Sequence, residues 1–281
     1  GGKDARVTTE KLVNIATRGP VGGSAGSLIA GFVVTGDAPK PVLIRAVGPT
    51  LGAFGVSGAL NAARLELFSG QFSIATNTAW GRSSNATEIA AAAARAGAFA
   101  LDPASADAVL LVTLEPGAYT AVVSADNNVA GGVSAGEGVA LVEVYDVSEN
   151  ATNSQKVVNI ASRAFAGGGD STLTAGFVIN GTVPKRVLVR GAGPALTVFG
   201  VSGALADPQL KLFKGSTVVV ANDNWGDTVD ATGIAAAAAS VGAFAFSPGS
   251  KDAAILLNLE PGAYTVQLSG TGTTTGTALI E

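Results

Sequence analysis

The side chains able to do chemistry come in pairs set 145 residues apart. Asp107 matches Asp252 and Glu115 matches Glu260, while Glu143 and Glu281 lie in the terminal strands of two similar halves. Paired carboxylates at a fixed separation can hydrolyse glycosides, one as acid and the other as base or nucleophile. Here, however, each pair is a single position written twice. Glu115 and Glu260 fall in Pro-Gly turns and Asp107 and Asp252 at strand starts, so they read as turn and surface acids. The chain has no His and no Cys, which excludes a Ser-His-Asp or Cys-His unit, a His or thiolate zinc site, an iron–sulfur cluster and a disulfide. No catalytic residue is assigned, and the expected class is not an enzyme.

Arg45 and Arg190 stand inside apolar strands just before Gly-Pro. A guanidinium buried there needs a carboxylate or carbonyl partner, and Asp107 and Asp252 are the expected ones. Asp207, Asn222, Asp223, Asn224 and Asp227 cluster oxygen ligands of the kind Ca²⁺ takes. Their spacing matches no EF-hand loop, and the first half reads Asn77-Thr78-Ala79-Trp80-Gly81-Arg82 at the same place. An Asx-rich turn holding a core Trp is therefore the expectation, with calcium a minor alternative and no other cofactor. Trp80 and Trp225, if exposed, would offer a sugar-stacking platform; their identical placement in both halves favours core packing.

What positions these residues is a duplicated unit. Shifting the chain by 145 aligns 11–120 with 156–265 without a gap, roughly 60 of about 110 positions being identical. The expected organisation is an N-terminal extension (1–10), repeat one (11–147), a polar linker (148–155) and repeat two (156–281). Each unit consists of short Val-, Leu- and Ile-rich segments bounded by Gly and Pro, which predicts an all-β fold of two tandem Greek-key or jelly-roll-like sandwiches. In 139–145, Ala140 and Val142 share one face and Glu143 marks the other, wetter one. One Ala-rich helix per unit is expected after Asn85 and Asp230, closed by Gly97 and Gly242 and covering one end of the sandwich. Leu114-Glu115-Pro116-Gly117-Ala118-Tyr119 and its copy ending in Tyr264 have the spacing of a tyrosine corner, an architectural device.

Composition narrows the partners. Of 281 residues, 47% are hydrophobic and 14% charged, and Lys plus Arg number 17 against 21 Asp plus Glu. With no run of either sign, nucleic acid is not expected as a partner, and no stretch is apolar enough for membrane insertion. The absence of Met, even at position 1, fits a processed, exported chain.

The segments Leu12-Val13-Asn14-Ile15-Ala16-Thr17-Arg18, Val42-Leu43-Ile44-Arg45-Ala46-Val47-Gly48-Pro49, Asn222-Asp223-Asn224-Trp225 and Leu141-Val142-Glu143-Val144-Tyr145 resemble a poorly characterised repeat of large secreted bacterial surface proteins. From Gly117-Ala118-Tyr119-Thr120 onward, each unit is also distantly similar to pre-peptidase C-terminal domains, β-sandwiches appended to exported enzymes. The resemblance implies export and a non-catalytic module, and brings no active residues with it.

The chain ends differ in a way that points to assembly. Repeat one closes with Val144-Tyr145-Asp146-Val147 after Glu143, whereas repeat two reaches Leu279, Ile280 and Glu281 without those counterparts. An unfinished edge can be completed by another chain, and Arg6, Val7, Thr8 and Thr9 suit an extended donor arm; the alternative is a fragment boundary with a frayed terminus. The expected function is an extracellular, self-assembling filament, sheath or matrix subunit joined by strand addition. The alternatives are a carbohydrate-binding or adhesin module, with glycans as partners, and an accessory domain of a larger secreted protein.

Overall fold

A computed structural model describes residues 11–128, 136–148 and 156–281. The first repeat forms β1 (Lys11–Val21), β2 (Leu28–Thr35), β3 (Lys40–Val47), β4 (Ala63–Ser69), β5 (Phe72–Asn77), helix α1 (Ala86–Arg95), β6 (Ala108–Leu114), β7 (Gly117–Ala125) and β8 (Gly138–Asp146). The second repeats the order as β9 (Lys156–Ala166), β10 (Leu173–Asn180), β11 (Lys185–Ala192), β12 (Pro208–Lys214), β13 (Thr217–Asn222), α2 (Ala231–Ser240), β14 (Ala253–Leu259), β15 (Gly262–Gly270) and β16 (Gly276–Ile280). The fold is an all-β sandwich. Period-two burial explains the strands: Leu28, Ala30, Phe32 and Val34 point inward from β2, and Tyr264, Val266 and Leu268 from β15.

Each repeat supplies four strands to each of two antiparallel eight-stranded sheets. One runs β13-β12-β15-β10-β1-β8-β3-β6 and the other β14-β11-β16-β9-β2-β7-β4-β5. The repeats therefore meet edge to edge in both layers, β1 against β10 and β9 against β2. The registers are equivalent: Thr17 pairs with Ala175, and Ser162, the position 145 later, pairs with Ala30. Such reciprocity is the mark of an isologous, two-fold joint, here between two halves of one chain. A single apolar cluster from both repeats fills the space between the sheets.

The helices do not cover an end of the sandwich. They lie on the outer faces, α1 over β6 and β3 and α2 over β14 and β11, because those faces are apolar too. Leu43, Val109 and Tyr145 pack with Trp80, Ile89 and Ala92 beneath α1. Gly97 and Gly242 end the helices with φ of 71° and 73°, a left-handed turn that favours glycine. The tyrosine hydroxyls pin the corners, Tyr119 donating to the Glu115 carbonyl and Tyr264 to that of Glu260, both at 2.8 Å.

Candidate functional site

The two repeats differ most where their last strands run. In repeat one, β8 continues down between β1 and β3: Val144 pairs with Ile15 and Ile44, Tyr145 with Asn14 and Leu43, and Asp146 with Val42. In repeat two, β16 pairs with β9 over Gly276 to Ile280. Against β11 it reaches only Ala192 and Gly191, with Glu281 and Arg190 exchanging backbone bonds of 3.0 and 2.7 Å beyond them. Below Glu281, among the described residues, no strand lies between β11 and the lower half of β9, whose other side pairs with β2. Leu279 and Ile280 are thus interior strand residues at the head of a gap one strand wide.

The gap is a cavity of about 450 Å³. One wall is the sheet-to-sheet core, with Phe177, Val187, Val189 and Val266, and the other is Leu188, Val241 and Ala243 beneath the end of α2. A strand needs both kinds of wall, since its side chains alternate between faces. In repeat one this volume holds Val144 on the core side and Tyr145 on the helix side.

The polar groups around β8 in repeat one and around the end of β16 in repeat two can be compared directly. There Arg45 and Glu143, 1% and 4% exposed, pair at 2.9 Å between Nε and Oε2. Arg45 also donates to the Phe99 carbonyl at 2.7 Å and lies 4.3 Å from the Phe99 ring centroid. Tyr145 donates its hydroxyl to Glu143 at 2.8 Å, and Lys40 pairs with Asp146 at 2.8 Å, both buried. In repeat two Arg190 pairs with Glu281 at 3.2 Å and sits between Phe244 and Phe246, 4.5 and 4.0 Å from their centroids. Its terminal nitrogens have no hydrogen-bond partner among the described residues. Lys185, at the position of Lys40, lines the gap and has no carboxylate partner among them. Burial pushes the Glu143 and Glu281 carboxyls above the ordinary value, against the pull of Arg45 and Arg190 and, for Glu143, the Tyr145 hydrogen bond. Burial also lowers Arg190, against Glu281 and Asp252.

These contacts correct two expectations. The arginines pair with Glu143 and Glu281, and not with Asp107 and Asp252, because the glutamates sit directly across the ladder from them. Asp107 accepts from the Gly48 N–H at 2.8 Å, from Ser105 Oγ at 2.8 Å and from Thr50 Oγ1; Asp252 accepts from Gly193 and Ala195 N–H at 2.8 and 3.2 Å and from Ser250 at 2.7 Å. Both acids fasten the turn after the arginine strand. Glu143, in turn, is not on a wetter side, since the helix layer covers that face.

The remaining candidates are placed elsewhere. Trp80 and Trp225 are buried, their indole nitrogens donating to the Asp102 carbonyl at 3.1 Å and to Ser250 Oγ at 3.2 Å. Asn222 accepts from the Ala254 N–H at 2.9 Å and donates to the Asn224 carbonyl at 3.1 Å. Asp207 pairs with Lys251, while Asp223 and Asp227 are exposed. Among the described residues no three His, Cys, Asp or Glu side chains converge on a metal position. Arg6, Val7, Thr8 and Thr9 lie outside the described residues.

No family model matches the chain, and no curated protein matches it. Among solved structures it is similar to the tandem CBM51 modules of Sp3GH98, the family 98 glycoside hydrolase from Streptococcus pneumoniae SP3-BS71. The identity is 9%, over 93% of this chain and 81% of that one, with a TM-score of 0.24. A likeness at that level carries no argument about function.

Proposed function

We propose that the chain is a non-catalytic structural module of an exported protein, whose copies join by β-strand addition into a filament, sheath or matrix. The observation that supports this reading is the pair of outer strands β5 and β13, each with a strand neighbour on one side only among the described residues. Phe72, Ile74, Val218 and Val219 stand exposed along them, and an open, apolar strand edge is a ready template for pairing with another chain. A strand added there gains main-chain hydrogen bonds for affinity and side-chain contacts for specificity. A head-to-tail contact of this kind is heterologous and propagates. The carbohydrate-binding or adhesin alternative calls for an exposed aromatic or Asn/Asp cluster around Trp80 or Trp225; both tryptophans are inside, while Asp223 and Asp227 are exposed.

Electron microscopy of the undenatured chain tests the proposal. Ordered polymers at high concentration are the expected result, and dispersed single particles would overturn it. Imaging a chain without residues 1–10 then decides whether that segment is the donor: polymers that vanish identify it, and polymers that persist place the donor elsewhere.

A further inference from the structure

We infer that Lys40 and Asp146 condense into an isopeptide bond, a covalent crosslink between the start of β3 and the end of β8. The inference concerns the chemistry of one buried pair and is independent of how copies of the chain assemble.

Lys40 is the one buried lysine among the described residues. The strand period puts it there. Val42 and Ile44 face the core from β3 and Val142 and Val144 from β8, and Lys40 and Asp146 continue those two rows between the sheets. Leu114 stands directly across the ladder from Lys40, and Val42 from Asp146. The two charged side chains are 1% and 0% exposed. Taking an ammonium and a carboxylate out of water is costly, and their attraction repays that cost only in part. Condensation removes both charges at once and leaves an amide.

The geometry is that of a nucleophile held against a polarised carboxyl group. Lys40 Nζ lies 2.8 Å from Asp146 Oδ2. The other oxygen, Oδ1, accepts from the Ser148 N–H at 3.1 Å and from the Ser148 hydroxyl at 2.6 Å, while Lys40 Nζ donates to the same Ser148 Oγ at 3.0 Å. Two donors on Oδ1 stabilise the negative charge that develops there when nitrogen attacks. The steps balance within the pair. One proton moves from the ammonium to Oδ2, giving an amine and an acid, and the nitrogen lone pair then attacks Cγ. A second proton passes from nitrogen to Oδ2, the Cγ–Oδ2 bond breaks and water leaves. Oδ1 becomes the amide carbonyl, still held by Ser148. Burial keeps water from reversing the step. Lys251 also pairs with Asp207, but it is exposed and stays an ion pair.

Intact-mass spectrometry of the purified chain in denaturant tests the inference. The expected mass is one water below that of the sequence, and a proteolytic digest should yield a branched peptide joining the segments that carry Lys40 and Asp146. Lys40→Arg and Asp146→Ala should each restore the full sequence mass. Ser148→Ala keeps both reacting groups and should lower the crosslinked fraction in freshly made protein, whereas Lys251→Arg should leave the mass deficit unchanged. The full sequence mass in the unmodified chain would overturn the inference, as would a lost water that maps to a linear peptide or survives Lys40→Arg.

Discussion

Thr17 donates its hydroxyl to Ser162 across 2.8 Å, and the two are the same position of the two repeats. A residue that bonds its own counterpart marks the local two-fold axis, which here passes between β1 in one sheet and β9 in the other. Both hydroxyls are buried, at 2% and 1% exposure, so each depends on the other for its partner. Thr17→Val should cost about 1–3 kcal/mol by leaving Ser162 unsatisfied, and adding Ser162→Ala should cost less than the two single effects summed. Urea denaturation of the four-member cycle measures the coupling, and strict additivity would refute it.

Continuous sheets also predict how the molecule melts. β1 pairs with β10 and β9 with β2 along most of their lengths, and one apolar cluster joins the repeats. Neither repeat can open its inner edges without exposing that shared core. Calorimetry should therefore give one transition with calorimetric and van't Hoff enthalpies in agreement; two resolved transitions would show that the repeats unfold independently.

The buried Arg45–Glu143 pair should behave asymmetrically under mutation. Glu143→Ala leaves a guanidinium under the α1 layer with its Phe99 carbonyl bond but no counter-charge, a loss of about 3–5 kcal/mol. The double replacement Arg45→Met with Glu143→Leu removes both charges and should recover most of that loss. Chemical denaturation of the three variants decides the matter.

Burial raises the Glu143 carboxyl above its ordinary value, which fixes the sign of its pH effect. Above the unfolded value of about 4.3 the folded chain holds a proton that the unfolded chain has released. The stabilisation from this group is thus complete below that pH and is lost as pH rises through the raised folded value. Relative to Glu143→Gln, the unmodified chain should lose stability on going upward from about pH 4.3. The difference between the two stability profiles is the measurement, and a difference that grows with the opposite sign would contradict the placement of the carboxyl.

Sheet content, helix positions and tyrosine corners were legible because each is written in local signals: period-two apolar residues, an Asn or Asp before an Ala run, and Leu-x-Pro-Gly-x-Tyr. The edge-to-edge joint was not. β1 and β9 carry the same residues as strands of an isolated sandwich, and nothing in Thr17 or Ser162 announces a partner 145 positions away. The arginine partners were misread for a related reason. Asp107 fastens the turn after the Arg45 strand, and only the register of β3 on β8 places Glu143 directly opposite the arginine.

The tyrosine corners offer a test in which the two repeats should agree. Tyr119 and Tyr264 each bond a carbonyl four residues back and stack on a phenylalanine of the neighbouring strand, Phe32 at 5.7 Å and Phe177 at 5.6 Å between centroids. Tyr→Phe keeps the ring, its stacking and its buried area, and removes only the hydroxyl. Each single variant should therefore lose about 0.5–1.5 kcal/mol, the net worth of one hydrogen bond. The sites lie in different repeats with no shared partner, so the double variant should lose the sum. Two unequal losses in urea denaturation would mean that the corner fastens one repeat and is incidental in the other. Equal losses that add would make it the same fastening used twice.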